Sequence, residues 1–115
     1  MKKIVVTWMA IVLVLGMGWP SLGAEIAKPL ILDVRTEAEW NNGHVEGAIL
    51  IPYEQIGEKI GTVAGDKTKR IYLYCRSGRR SKIAQDALLK LGYTDVIDLK
   101  TLENAAATMK RRIVK

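Results

Sequence analysis

Four short apolar runs recur along the chain with helical patterns between them, and this alternation is what most limits the fold. The runs are Leu30–Val34, Ala48–Ile51, Ile71–Tyr74 and Val96–Leu99. They lack the polar alternation of a half-exposed strand, so each suits a parallel strand buried on both faces. Thr36-Glu37-Ala38-Glu39 has the form of a capping box and opens a short helix through Trp40, stopped by Asn41-Asn42-Gly43. His44-Val45-Glu46-Gly47 reads as a turn. Tyr53 to Ile60 follows as a helix with Ile56 and Ile60 on one side, and Gly61 to Lys69 as a loop. The strongest helix runs from Ser81 to Leu91. Ile83, Ala84, Ala87, Leu88 and Leu91 form its apolar stripe, and Gly92 is its terminator. Thr101-Leu102-Glu103-Asn104 and the alanines after it open a last helix. Strands and helices in this order predict an α/β fold, a small and mostly parallel sheet with helices on both faces.

The 115 residues hold one domain of modest size, and the first stretch stands apart from it. Met1-Lys2-Lys3 is a basic start, Ile4 to Gly18 is apolar apart from Thr7, and Trp19-Pro20-Ser21-Leu22-Gly23-Ala24 ends the run on small residues. That is the layout of a secretory signal peptide over residues 1–24, cleaved after Gly23 or Ala24 and leaving residues 25–115 as the domain. An uncleaved anchor is the rival, but the run falls short of the about 20 residues that a spanning helix needs. The protein is therefore expected to be exported, in a bacterium with two membranes to the periplasm, and to meet the membrane only transiently. Removing Lys2 and Lys3 lowers the formal charge from +6 to +4. Lys110, Arg111, Arg112 and Lys115 read as a solvated end. They are not interleaved with aromatics, so no nucleic-acid partner is expected. A mildly basic surface does favour small anionic substrates.

Cys75 is the only cysteine. In an exported protein an unpaired thiol is a liability unless it is buried, pairs between chains or has a task. It stands at the end of the third apolar run and is followed by Arg76-Ser77-Gly78-Arg79-Arg80-Ser81. A free thiol has a pKa of about 8.5, and a helix N-terminus with nearby arginines lowers it. The helix read from Ser81 points unpaired N–H groups back at the loop. Gly78 allows the curvature that turns successive N–H groups inward. In open α/β sheets ligands bind beyond the carboxyl ends of the strands, where Cys75, Asp33 and Arg35 all fall. A phosphatase loop needs one residue more between cysteine and arginine than the four found here. Thiol–disulfide exchange lacks a second cysteine. Sulfur transfer suits the smaller loop. Asp33 and Arg35 are read as a charged pair that pins neighbouring loops, His44 as a satisfied turn histidine, and Trp40 and Tyr53 as packing. One histidine and one cysteine do not make a metal site.

Cys75-Arg76-Ser77-Gly78-Arg79-Arg80 resembles the six-residue active-site loop of rhodanese-type sulfurtransferases, in the form used by the thiosulfate subclass. Asp33-Val34-Arg35 with Glu39-Trp40, and Gly43-His44-Val45-Glu46-Gly47-Ala48-Ile49 leading to Ile51-Pro52, resemble the two other signature stretches of that family. Gly92-Tyr93-Thr94-Asp95-Val96 is similar to its helix-to-strand junction. The chain departs from the family after the last strand, where Asp98-Leu99-Lys100-Thr101-Leu102 replaces the usual Gly-Gly turn and tryptophan. The resemblance implies the rhodanese-like fold in its exported single-domain type. It implies Cys75 as nucleophile, with Arg76, Ser77, Gly78, Arg79, Arg80 and Ser81 binding the substrate and Asp33, Arg35 and His44 in support. It also implies thiosulfate as a small anionic sulfur donor, cyanide or a thiol as thiophilic acceptor, no metal or organic cofactor, and a monomer. A persulfide carrier, or a rhodanese-like interaction module without thiosulfate turnover, is the alternative.

Overall fold

The computed structural model describes residues 29–115, so the signal peptide read over residues 1–24 and its cleavage site lie outside the described residues. Strand β1 (Leu30–Asp33) is buried at every position, as its unbroken apolar run predicts. It lies between β3 (Ile49–Leu50) and β4 (Ile71–Cys75), and β5 (Val96–Thr101) pairs on the far side of β4. All three pairings are parallel, with Leu30 opposite Ile71, Leu32 opposite Ile49 and Ile71 opposite Val96. The β1–β4 register puts Asp33 beside Tyr74, so the carboxyl ends of the two central strands meet just before Cys75.

Helices cover both faces because successive side chains on each strand point to opposite sides. Leu30 and Leu32 of β1 and Ile71, Leu73 and Cys75 of β4 face α2 (Ile56–Val63) and α3 (Arg79–Lys90), packing with Ile56, Ile60, Ala84 and Leu88. Ile31 and Tyr74 face the other way and pack with Val45 and with Ala105 of α4 (Leu102–Met109). The capping box forms as its sequence predicts: Glu39 N–H donates to Thr36 Oγ1 and Thr36 N–H to Glu39 Oε1, starting α1 (Glu37–Asn41). Gly92, at φ 99°, closes α3, its N–H reaching the Leu89 carbonyl and that of Tyr93 the Leu88 carbonyl.

Five expectations are corrected. The second apolar run forms only the short strand β3, an edge paired on one side, and Ile49 is 37% exposed. Residues Tyr53–Gln55 form a 3₁₀ turn ahead of α2, which itself runs on to Val63. The apolar stripe of α3 is narrower than its periodicity suggests. Ser81, Ala84 and Leu88 face the sheet, while Ile83 and Leu91 are exposed. Small residues on the inner face bring the helix close to the strands. Lastly, His44–Val45 is not a turn and the basic end is not merely solvated. Strand β2 (His44–Val45) pairs antiparallel with β6 (Ile113–Val114), and the Arg112 guanidinium donates to Glu46 at 2.6 Å.

One buried polar network joins these parts. Asp33 is fully buried and accepts from the Arg35 backbone N–H, the Arg35 guanidinium and, at 2.8 Å, the Tyr74 hydroxyl. The same hydroxyl accepts from Val45 N–H at 3.0 Å, and Arg35 Nη2 donates to the Gly43 carbonyl at 2.7 Å. Removing one partner of a buried hydrogen bond costs about 1–3 kcal/mol through the group left unpaired. Tyr74→Phe strips partners from both Asp33 and Val45. It is expected to lower stability by about that amount, read as an earlier urea midpoint with an unchanged slope. An unmoved midpoint contradicts the network's role.

Candidate active site

Cys75 is the last residue of β4 and has no solvent exposure. The chain then reverses over Arg76-Ser77-Gly78 to enter α3. Gly78 makes the reversal possible: its φ of 99° is left-handed backbone, open to glycine without a Cβ penalty. It also caps α3, which starts at Arg79, two residues before the position read from the sequence. Ser81 therefore lies in the first turn, fully buried, and its N–H is one of those a helix leaves without an internal partner.

Those unpartnered donors converge on the sulfur. Gly78 N–H donates to Cys75 Sγ at 3.0 Å, and the N–H groups of Ser77 and Ser81 also favour its anion. In the thiol state Ser81 Oγ gives its one proton to the Gly78 carbonyl at 3.2 Å and lies 3.5 Å from Sγ, within reach to turn that proton onto the thiolate. Burial pushes the thiol up. The hydrogen bonds from the Ser81 hydroxyl and from the N–H groups of Ser81, Gly78 and Ser77 outweigh it, and Cys75 titrates below the ordinary thiol value. In the thiol state Sγ donates to the Lys100 carbonyl at 3.4 Å.

The arginines are arranged differently from the backbone. Arg76 and Arg79 are exposed. Arg76 lines a pocket of about 290 Å³ beside the loop, with Arg35, Glu39, Asn42, Gly43, Leu102 and Glu103. Arg80, read as a loop ligand, instead forks onto Glu39 of α1 at 2.7 and 2.9 Å. This pair and the hydrogen bonds from Thr36 hold the Glu39 carboxyl down to about 2 against its partial burial, with Arg80 the largest cause. Arg80 thus ties the first turn of α3 to α1.

Asp33 and Arg35 stand at the carboxyl end of β1, engaged with each other and with Tyr74, as the pinning pair read from the sequence. Arg35 Cζ also lies 5.5 Å from the Tyr74 ring centroid. His44 sits on β2, its ring stacked on Trp40 at 3.5 Å between centroids and its Nδ1 3.0 Å from the Trp40 carbonyl. The structure thus gathers Cys75, Ser77, Gly78 and Ser81 around one sulfur. Asp33 and Arg35 lie below it in the network that ends at Tyr74.

Two residues at the site were not singled out from the sequence. Glu39 was read as a capping residue and as part of a signature stretch, and the same carboxylate also receives Arg80. Lys100 carried no signal beyond standing where the family pattern is broken. The arrangement is suited to holding a sulfur anion where a strand end meets a helix N-terminus.

The profile of the rhodanese-like domain matches residues 20–101. Thiosulfate sulfurtransferase PspE of Escherichia coli K12 is 37% identical over 75 residues, covering 65% of this chain and 72% of that protein. The MoeZ protein of Mycobacterium tuberculosis is 37% identical over 84 residues, 71% of this chain but only 20% of its own length. Among solved structures, a rhodanese with anions from E. coli superposes with a TM-score of 0.70 at 34% identity, over 76% of this chain and 99% of that one.

The hydrogen bonds to sulfur make a specific demand. Ser81→Ala removes the side-chain donor and leaves the backbone donors in place. The rate of Cys75 alkylation by iodoacetamide follows the thiolate fraction. Its pH midpoint is expected to rise in Ser81→Ala, and a midpoint equal to that of the parent protein contradicts the assignment.

Proposed function

The chain belongs to the rhodanese-like sulfurtransferase family, and on that premise we propose that it moves sulfane sulfur from thiosulfate, through a Cys75 persulfide, to cyanide or a thiol. The observation that carries this reading is the convergence on Cys75 Sγ of Gly78 N–H and the other α3-terminal donors. They favour a thiolate without a neighbouring base.

The thiolate attacks the outer sulfur of thiosulfate. A bond forms between Cys75 Sγ and that sulfur, the bond to the sulfonate group breaks, and sulfite leaves with the electron pair. The terminal sulfur of the persulfide carries the negative charge left on the protein, and the N–H groups of Ser77, Gly78 and Ser81 remain to hold it. Cyanide then attacks the terminal sulfur. Thiocyanate departs and the Cys75 thiolate returns. A thiol acceptor takes the same sulfur as its own persulfide. The step needs no electron donor and no metal. Arg76 and Arg79, both exposed at the loop, draw the dianion and ease the departure of sulfite. Export through the segment at residues 1–24 belongs to this reading, because it explains the use of a single cysteine kept buried.

Incubation of the protein with thiosulfate, followed by intact mass measurement, tests the proposal. One added sulfur atom and stoichiometric sulfite are expected, both absent in Cys75→Ser. Subsequent cyanide is expected to remove the sulfur as thiocyanate. A protein that gains no sulfur and releases no sulfite contradicts it.

A further inference from the structure

The β4–β5 pairing is irregular beside Cys75. Leu73 faces Asp98, yet Cys75 faces Thr101, so β5 carries one residue more than β4 over this interval. Lys100 lies within that bulge and has φ 71°, left-handed backbone that a lysine adopts at a cost. Two bonds hold it there: Lys100 N–H donates to Asp98 Oδ1 at 2.8 Å, and Thr101 Oγ1 caps α4 by accepting from Asn104 N–H. Strained backbone that its surroundings hold in place is a pointer to function. The bulge aims both ends of Lys100 at the loop. Its carbonyl accepts from Cys75 Sγ at 3.4 Å. Its stem packs on the turn, such that a Cβ built on Gly78 would lie 3.5 Å from Lys100 Cβ and 3.7 Å from its Cγ.

We propose that Lys100 is a specificity-determining residue of this site, the bulge holding its side chain over the Cys75–Ser81 loop so that its ammonium selects anionic reagents at the thiol. The proposal rests on Cys75 being the reactive thiol. Lys100 is exposed, and no carboxylate among the described residues pairs with its ammonium. Its ammonium is therefore free of an ion pair, whereas the charge of Arg80 is taken up by Glu39.

The test compares alkylation of Cys75 by iodoacetate and by iodoacetamide, which differ in charge and share a mechanism. Lys100→Gln keeps the stem and removes the charge. The ratio of iodoacetate to iodoacetamide rate constants is expected to fall about threefold, the size of one nearby charge acting through solvent. It is expected to return in Lys100→Arg and, in the parent protein, to shrink as salt is added. A structural disturbance moves both rates together and leaves the ratio unchanged. An unchanged ratio, with both reagents still reacting, overturns the role of Lys100 and leaves the sulfurtransferase reading standing. If neither reagent modifies Cys75 in the parent protein, the thiolate reading falls and this proposal falls with it.

Discussion

A carboxylate without solvent must be given hydrogen-bond donors or lose its charge, and the donors that Asp33 receives bind the centre of this protein together. Arg35 comes from the loop after β1, and Tyr74 from the neighbouring strand β4. Through the Tyr74 hydroxyl the network reaches Val45 of β2, and through Arg35 it reaches Gly43. The carboxyl ends of the central strands and the outlying ribbon are thereby fixed to one another. Tyr74 faces one side of the sheet and Cys75 the other. A network that locks Tyr74 in place also sets the position and direction of the sulfur beside it. Burial also holds the Tyr74 phenol well above its ordinary value, so it stays protonated and able to donate to Asp33.

The electrostatics of the site come from the backbone more than from the arginines that crowd the loop. Burial alone disfavours a thiolate at Cys75. The reversal at Gly78 gives the sulfur the N–H groups that open a 12-residue helix, together with the Ser81 hydroxyl. These donors are fixed before any substrate arrives, which is where preorganised stabilisation is most effective. The arginines divide the remaining tasks. Arg80 braces α3 against α1 through Glu39, while Arg76 and Arg79 stay exposed.

Much of this was legible in the sequence because local chemistry decides it. The apolar runs of β1 and β4 specify central strands buried on both faces, Thr36 and Glu39 specify a helix start, and Gly92 specifies a helix end. The thiol at a strand terminus followed by a glycine loop marked a candidate site, and the structure does place Cys75 at the end of β4. The failures share a different cause. The β2–β6 ribbon joins His44–Val45 to Ile113–Val114, and no two-residue segment announces a partner so distant in the chain. The start of α3 was misplaced because a left-handed glycine, and not the hydroxyl of Ser81, ends the loop. Residue type also could not show that Glu39 lies within reach of Arg80. Lys100 was hidden for a similar reason: lysine carries no preference for the left-handed backbone that the β5 bulge imposes on it.

The central claim is that backbone and hydroxyl donors outweigh burial and leave Cys75 as an activated thiolate. Because the chain has one cysteine, the ultraviolet absorbance of the thiolate, titrated against Cys75→Ser as blank, reports this residue alone. The account predicts a midpoint below the ordinary thiol value of about 8.5. A midpoint at or above that value would show burial prevailing and would contradict it.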